Sequence, residues 1–326
     1  MATVGMHEEE WGSCPLCHER KTEVLYSEEG SPEGLRLLRC GKCELVRTWA
    51  QHTGLSYPLK EIDAYYGSNE NKFMPVVQRL RNSIARMRAR RYLRLVSREE
   101  RTPRVLDVGC AEGRLLMPFH SRGWECWGVE HPRYPAKRFL QRDRIVYLQG
   151  ELDELDLPEK SFDLIFLWHV LEHMDDPGRT LRKLRRSMKP EGAVIVAVPN
   201  FGSLEARKYK KSWFHIDAPW HRYHFNEKSM KYLVSKHGFK VSSLNTLCLE
   251  QGPYGLIQST LNALGWPRNE LYEALKGKRG RNRSIHLLMQ CILTTLLAVP
   301  ALSFTFLAAQ RRAGSVMKLV LRKERE

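Results

Sequence analysis

From residue 104 onward, short apolar runs alternate with amphipathic stretches. Val105-Leu106-Asp107-Val108 reads as a short buried strand, closed by the small-residue turn Gly109-Cys110-Ala111-Glu112-Gly113. A helix is expected to start over 114–121, and the segment WECWGVE forms a second strand that ends in an acid, Glu130. A third strand (VYLQ), an acidic loop, and a fourth strand over 162–167 follow. The pattern predicts a helix opening at Trp168-His169-Val170-Leu171-Glu172-His173. A further helix, a Pro-Glu-Gly turn and the run AVIVAVPN supply a fifth strand. NEKSMKYLVSK reads as a capped helix that ends at Gly238, with strand six behind it. The alternating tail SVMKLVLRKERE reads as one more short strand. Strands alternating with helices predict an α/β fold with a mostly parallel sheet.

Two stretches depart from this rhythm. Residues 75–97 carry seven arginines on a helical pattern and Arg98 follows, with Val77, Leu80, Ile84 and Met87 on the predicted apolar face. A solvated arginine face is the expected state of such a helix, and contact with anionic lipid or RNA is the alternative. Residues 287–309, LLMQCILTTLLAVPALSFTFLAA, contain no charge. Crossing a bilayer takes about 20 such residues. Pro300 should break or kink that helix, and 287–299 alone is too short to span. The flanks Lys276, Lys278, Arg279, Arg281 and Arg283, then Arg311 and Arg312, are basic. If strands six and seven are neighbours, both ends of this insertion must meet. A helical hairpin dipped into one leaflet, or lying in the interface, is therefore favoured over a crossing. A helical pair buried within the protein or a dimer is the alternative.

Composition sharpens this picture. The chain has 326 residues, 42% of them hydrophobic, and a net charge of +16, which suits an anionic membrane surface or nucleic acid. Its start, MATVGMHEEEWG, does not resemble a signal peptide, so a cytoplasmic protein associated with the inner face of the membrane is expected. Four of the eight cysteines form two CxxC knuckles, Cys14/Cys17 and Cys40/Cys43, separated by 22 residues. That is zinc-ribbon spacing, with four thiolates for a closed structural Zn2+ site. His18 adjoins the first knuckle as a substitute ligand, but four cysteines suffice.

A glycine turn after strand one lets backbone approach a ligand, and an acid after strand two can accept both ribose hydroxyls. Together with HVLEHMDDP after strand four, these residues resemble the class I S-adenosylmethionine-dependent methyltransferases, in particular a bacterial branch with an N-terminal zinc ribbon. The resemblance covers about residues 104–243 and implies a Rossmann-like seven-stranded sheet with a helical insertion between its last two strands. The implied organisation is a ribbon (1–60), a linker and basic helix (61–103), a methyltransferase domain (104–250 with 315–326) and the insertion (251–314). It also implies that Asp107, Gly109, Cys110 and Gly113 hold the methionine part of S-adenosylmethionine. Glu130 would bind the ribose, Glu151 and Leu152 would contact adenine, and Trp168 would lie beside the sulfonium.

Methyl transfer to a hydroxyl needs a base, and histidine suits that near neutral pH. His169 and His173, four apart, are expected on one helix face, and His221 follows in SWFHIDAPWHRYHF, which resembles the family's acceptor segment. His173, His221 and His169 are the candidate catalytic residues. Each has an ordinary structural role as its alternative, and His215, Asp217, His221 and His224 could instead be metal ligands. The expected function is O-methylation of a lipid-linked or membrane-embedded acceptor such as a glycolipid, polysaccharide precursor or quinone-like lipid. RNA methylation and a non-catalytic cofactor-binding scaffold are the alternatives; oligomeric state is open.

Overall fold

The computed structural model describes residues 11–27, 34–50, 75–96, 101–132, 145–266 and 284–324. The linker after residue 50 and the basic flank over 276–283 lie outside the described residues.

Three strands form the ribbon: β1 (Thr22–Ser27), β2 (Arg36–Cys40) and β3 (Val46–Trp49). Helix α1 (Pro75–Leu93) leads to β4 (Arg104–Val108), the short α2 (Met117–His120), β5 (Glu125–Glu130), β6 (Ile145–Gln149) and β7 (Phe162–Trp168). Then come α3 (Pro177–Ser187), β8 (Met188–Pro199), α4 (Leu204–Tyr209), the two-residue β9 (Tyr223–His224), α5 (Glu227–Lys236) and β10 (Phe239–Asn245). Helices α6 (Gly252–Ala263) and α7 (Ser284–Gln310) precede β11 (Val316–Lys323).

The main sheet has seven strands in the order β10-β11-β8-β7-β4-β5-β6. Strands β4 to β8 run parallel, and β11 is antiparallel to both β8 and β10. The chain order reverses between β4 and β7, so the carboxyl ends of those strands open the crevice where a doubly wound sheet binds ligands. The expected α/β sheet, with its insertion between the last two strands, is what the chain builds. The sheet's centre is wholly apolar: Leu164, Ile165, Phe166 and Leu167 of β7 and Val194, Ile195 and Val196 of β8 are fully buried. Runs of this kind form strands covered on both faces.

The second sheet, β1-β2-β3-β9, joins the ribbon to the acceptor segment. Thr48 of β3 makes that junction. Its N–H donates to the carbonyl of Arg222 at 2.9 Å, and its hydroxyl donates to the carbonyl of His221 at 2.6 Å. The ribbon cysteines share one core with Tyr223, Phe225 and Met230. Lys228 and Asn226 reach Glu44 at 2.8 and 3.2 Å, so polar contacts close the same junction.

Three local expectations are corrected. The apolar stripe of α1 does not face the protein: Leu80 and Met87 are exposed, and Ala85, Ala89 and Tyr92 are the buried positions. Small alanines let the helix approach Phe166 and Phe119 closely, which a Leu/Met face would not. Only residues 117–120 are helical where a longer helix was expected. Helix α7 runs unbroken through Pro300 over 27 residues, about 40 Å at 1.5 Å per residue. Leu293 and Leu297 before the proline and Ala301 after it pack with Ile257 and Leu261 of α6, so both halves are held by one partner helix.

Candidate active site

Gly109 adopts φ +73°, a conformation that favours glycine, and a Cβ there would stand 2.5 Å from Cγ2 of Val170. The turn after β4 is therefore closed onto the segment after β7. Gly109 and Cys110 donate their N–H groups to the carbonyl of Val129, which ties the turn across the end of β5 at 2.8 and 3.1 Å. Gly113 also has positive φ, and Cys110 is buried beneath the loop against Gly128.

The carboxylate of Glu130 closes β5. Its oxygens accept from the N–H groups of Ala111 (2.6 Å) and His131 (2.8 Å), and burial pushes its pKa up. Asp107 is buried at the end of β4. Burial, opposed by Arg88 and reinforced by Glu130, lifts its pKa to about 7. Glu151 is exposed and paired with Nε2 of His131 at 2.8 Å, whereas Leu152 is buried. Trp168 ends β7 beneath the guanidinium of Arg88, which lies 3.5 Å from its ring centre. These residues fit S-adenosylmethionine: a side-chain-free turn at Gly109, a two-oxygen acceptor at Glu130, an apolar wall at Leu152 and an aromatic face at Trp168.

The expected helix after β7 is not present, which corrects the placement of the first two histidines. Residues 171–173 form one 3-10 turn, and His169 stands at φ +56°. The α-helix begins at Pro177, where Asp176 caps the N–H of Arg179 at 2.9 Å. His169 and His173 therefore do not share a helix face. Nδ1 of His169 meets Oε1 of Glu172 at 3.2 Å. Nδ1 of His173 donates to the carbonyl of Trp220 at 2.8 Å, and Nδ1 of His221 to the carbonyl of His215 at 2.9 Å. A carbonyl only accepts, so the proton on each Nδ1 is assigned. The His173 and His221 rings stand 4.8 Å apart, edge to face.

Beside them lies Glu172, a buried carboxylate that the sequence reading did not single out. Burial would raise its pKa, but the hydrogen bond from His169 and the neighbouring imidazoles outweigh this and hold it at about 2. Burial, with His221 adding, pushes His173 down to about 4, so it is neutral at pH 7 with Nε2 available to accept a proton. The four-residue metal set of the sequence reading is not assembled. His224 is buried with Nε2 at 3.0 Å from the Thr48 hydroxyl. His215 is buried against Gly255 of α6, beside Glu205. Burial pushes Glu205 up to about 8, a second unforeseen acid.

The ribbon site is formed as expected. Cys14 and Cys43 Sγ are 3.5 Å apart, Cys17 and Cys40 Sγ 3.4 Å, and all four are buried. A tetrahedral zinc with ~2.3 Å Zn–S bonds places sulfurs ~3.8 Å apart, so the four thiols fit Zn2+ in a closed structural site.

A family model described as a methyltransferase domain matches residues 78–244, about half of the chain. Ubiquinone biosynthesis O-methyltransferases of Rhodopseudomonas palustris (strain TIE-1) and Bradyrhizobium diazoefficiens are 33% and 32% identical over 102 residues. Each match takes in 30% of this chain and 40% of the relative, so the chain spans about 40% of the length of these curated relatives. Among solved structures, a methyltransferase of Thermotoga maritima described as a possible histamine N-methyltransferase is 22% identical, with 57% of this chain and 80% of that one covered and a TM-score of 0.39. A phosphoethanolamine N-methyltransferase of Haemonchus contortus is 17% identical, with 73% and 53% covered and a TM-score of 0.47.

Proposed function

The chain belongs to the methyltransferase-domain family, and from that premise we propose that it is an O-methyltransferase whose acceptor is a membrane-embedded, quinone-like or lipid-linked hydroxyl compound. S-adenosylmethionine is its cofactor. When bound it supplies a methyl group already activated on a sulfonium. What remains for the protein is to align an acceptor oxygen, exclude water and take a proton.

The observation that carries the hydroxyl reading is the polar cluster directly after the segment that closes the glycine turn. Val170 rests on Gly109, and Glu172, His173 and His221 follow at that wall. His173, neutral at pH 7 with Nδ1 tied to Trp220, offers Nε2 as the proton acceptor. Nδ1 of His221 is tied in the same way to His215. The O-methyltransferase names of the curated relatives support the same direction.

The lipid half of the reading rests on α7. Met289, Ile292, Leu296, Val299 and Phe306 are exposed at helical spacing along one side. The 19 residues Ile292–Gln310 have a mean hydropathy of 2.0 and are only 17% buried. The opposite side packs on α6, which docks on the acceptor segment through Thr260 to Tyr209 (2.7 Å) and Ser259 to Phe214 (2.9 Å). A helix held alongside α6 lies along the protein's flank and would enter one leaflet rather than cross it. An apolar acceptor could then pass from the leaflet beside α6 and α7 to the histidines.

The test incubates methyl-labelled S-adenosylmethionine and the protein with a lysate of its source, then separates organic-soluble material from RNA. Label in the organic fraction, absent for Gly109→Arg and released as a methyl ether, supports the proposal. Label in nuclease-sensitive material overturns it.

A further inference from the structure

We propose that Glu172, His173 and His221 form a binding site for a divalent cation on the acceptor side of the cofactor crevice. One donor atom from each residue lies within 4.8 Å of the other two. The outer hydrogen bonds are those of ligating histidines. Each imidazole gives Nδ1–H to a backbone carbonyl, Trp220 for His173 and His215 for His221, which fixes the ring and leaves Nε2 for a ligand. Glu172 is 1% exposed; Oε1 is engaged by His169, and Oε2 is buried with no hydrogen-bond partner among the described residues. A buried carboxylate oxygen is costly to leave without a partner, and a cation at the centre of the triad would satisfy it. Asp217, with Oδ2 at 3.9 Å from Nε2 of His221, is placed to add a carboxylate or hold a bound water.

The donor set names the metal class. Two imidazoles and a carboxylate, with no thiolate, suit Mn2+, Fe2+, Co2+ or Zn2+ and leave open coordination positions. This site is chemically unlike the closed four-thiolate ribbon, where three or four sulfurs select zinc. With the cation bound, Nε2 of His173 is a ligand and no longer the proton acceptor; the open positions would instead take the oxygen of an acceptor hydroxyl and lower its pKa. That role rests on the hydroxyl-methylation reading; the binding of the cation does not.

The probe is Mn2+ alone, added to the full chain with its ribbon loaded with zinc and followed by electron paramagnetic resonance. Mn2+ avoids the sulfur site, so the ribbon does not contribute to the signal. The expected result is one saturable Mn2+ per chain, weakened about tenfold or more in Glu172→Gln and in His221→Gln. Calorimetric binding of S-adenosylhomocysteine checks that each variant is folded. If Glu172→Gln does not fold, His173→Gln supplies the second reading. Absence of saturable Mn2+ binding, or equal binding by the folded variants, overturns the proposal. A bound cation with no hydroxyl acceptor methylated leaves the site standing and removes the O-methylation reading.

Discussion

Replacing Gly109 by alanine should cost stability and cofactor affinity, for two separable reasons. The first is local: at φ +73° an L side chain is strained by about 1–2 kcal/mol. The second is a collision, because the new Cβ would stand 2.5 Å from Cγ2 of Val170. Carbon atoms in contact sit at about 3.5–4.0 Å, so Val170 must retreat by about 1 Å or more. Val170 precedes Leu171, Glu172 and His173 directly, so its retreat displaces the acceptor-side cluster as well as the glycine turn. The strain costs the fold about 1–2 kcal/mol in free and bound protein alike, so the loss of S-adenosylhomocysteine affinity comes from the displacement that the collision forces on the turn. Gly109→Ala paired with Val170→Ala removes Cγ2 and should recover the collision part but not the strain. Calorimetry on the two single variants and the double variant yields the coupling between these sites. Unchanged affinity in Gly109→Ala, or a double variant no better than Gly109→Ala, would refute the contact argument.

Other perturbations test other parts of the molecule. Glu205→Gln should alter the pH dependence of stability: between the ordinary value of 4.5 and about 8 the folded chain holds a proton that the unfolded chain has released, so stability falls as pH rises through that window. The variant should melt higher than the parent at pH 8 and match it near pH 4.5, the gap approaching the order of 4 kcal/mol at ~1.4 kcal/mol per pH unit; equal melting curves at pH 8 sink the idea. Cys43→Ser, or zinc removal by a chelator, should lower the melting temperature and expose the amides of residues 221–225 to hydrogen exchange, because β9 is a strand of the ribbon sheet; unchanged protection there would separate ribbon from acceptor segment. Exchanging Leu296, Val299 and Phe306 for glutamate should abolish sedimentation with anionic liposomes at unchanged melting temperature, since all three are exposed, the first two at 68% and 71%. A triple variant that still sediments would detach α7 from membrane binding.

Much of the sheet was legible because its signals are local. The central parallel strands β7 and β8 carry long apolar runs, and Gly109, Gly113 and Glu130 stand at or just after strand ends, where chain direction and backbone conformation constrain the residue type. The antiparallel pairing of β10 with β11, across the insertion, is what the family resemblance implies, and no window of sequence carries it. Helix α7 was misread because Pro300 was judged on its own backbone cost. A proline inside a helix costs about 3 kcal/mol, yet Leu293, Leu297 and Ala301 contact α6 on both sides of it. Tertiary contacts of that kind leave no mark within a sequence window.

The acceptor-side cluster was half legible for a related reason. The histidines stood out by residue type, but their relation to one another depends on a turn that looks helical in one dimension. The stop was present in the letters: Asp176-Pro177 is a helix start, so residues 169–175 could not already lie inside the same helix. Once that segment is a turn, His169 and His173 diverge, and the acid between them becomes the residue they have in common. Glu172 carries no local signal of burial, because an acid ordinarily stays solvated. Glu172 is buried beside the residues that lead into β9: its main-chain carbonyl accepts from the N–H of Arg222 at 2.9 Å, and Thr48 and the pairing of β3 with β9 tie that segment to the ribbon. The ribbon thus contacts the candidate site through the His221 carbonyl and the His224 ring, while its own four thiols stay closed. A separable substrate-binding module would be free to leave that surface; Thr48 and the shared strand hold this one against it.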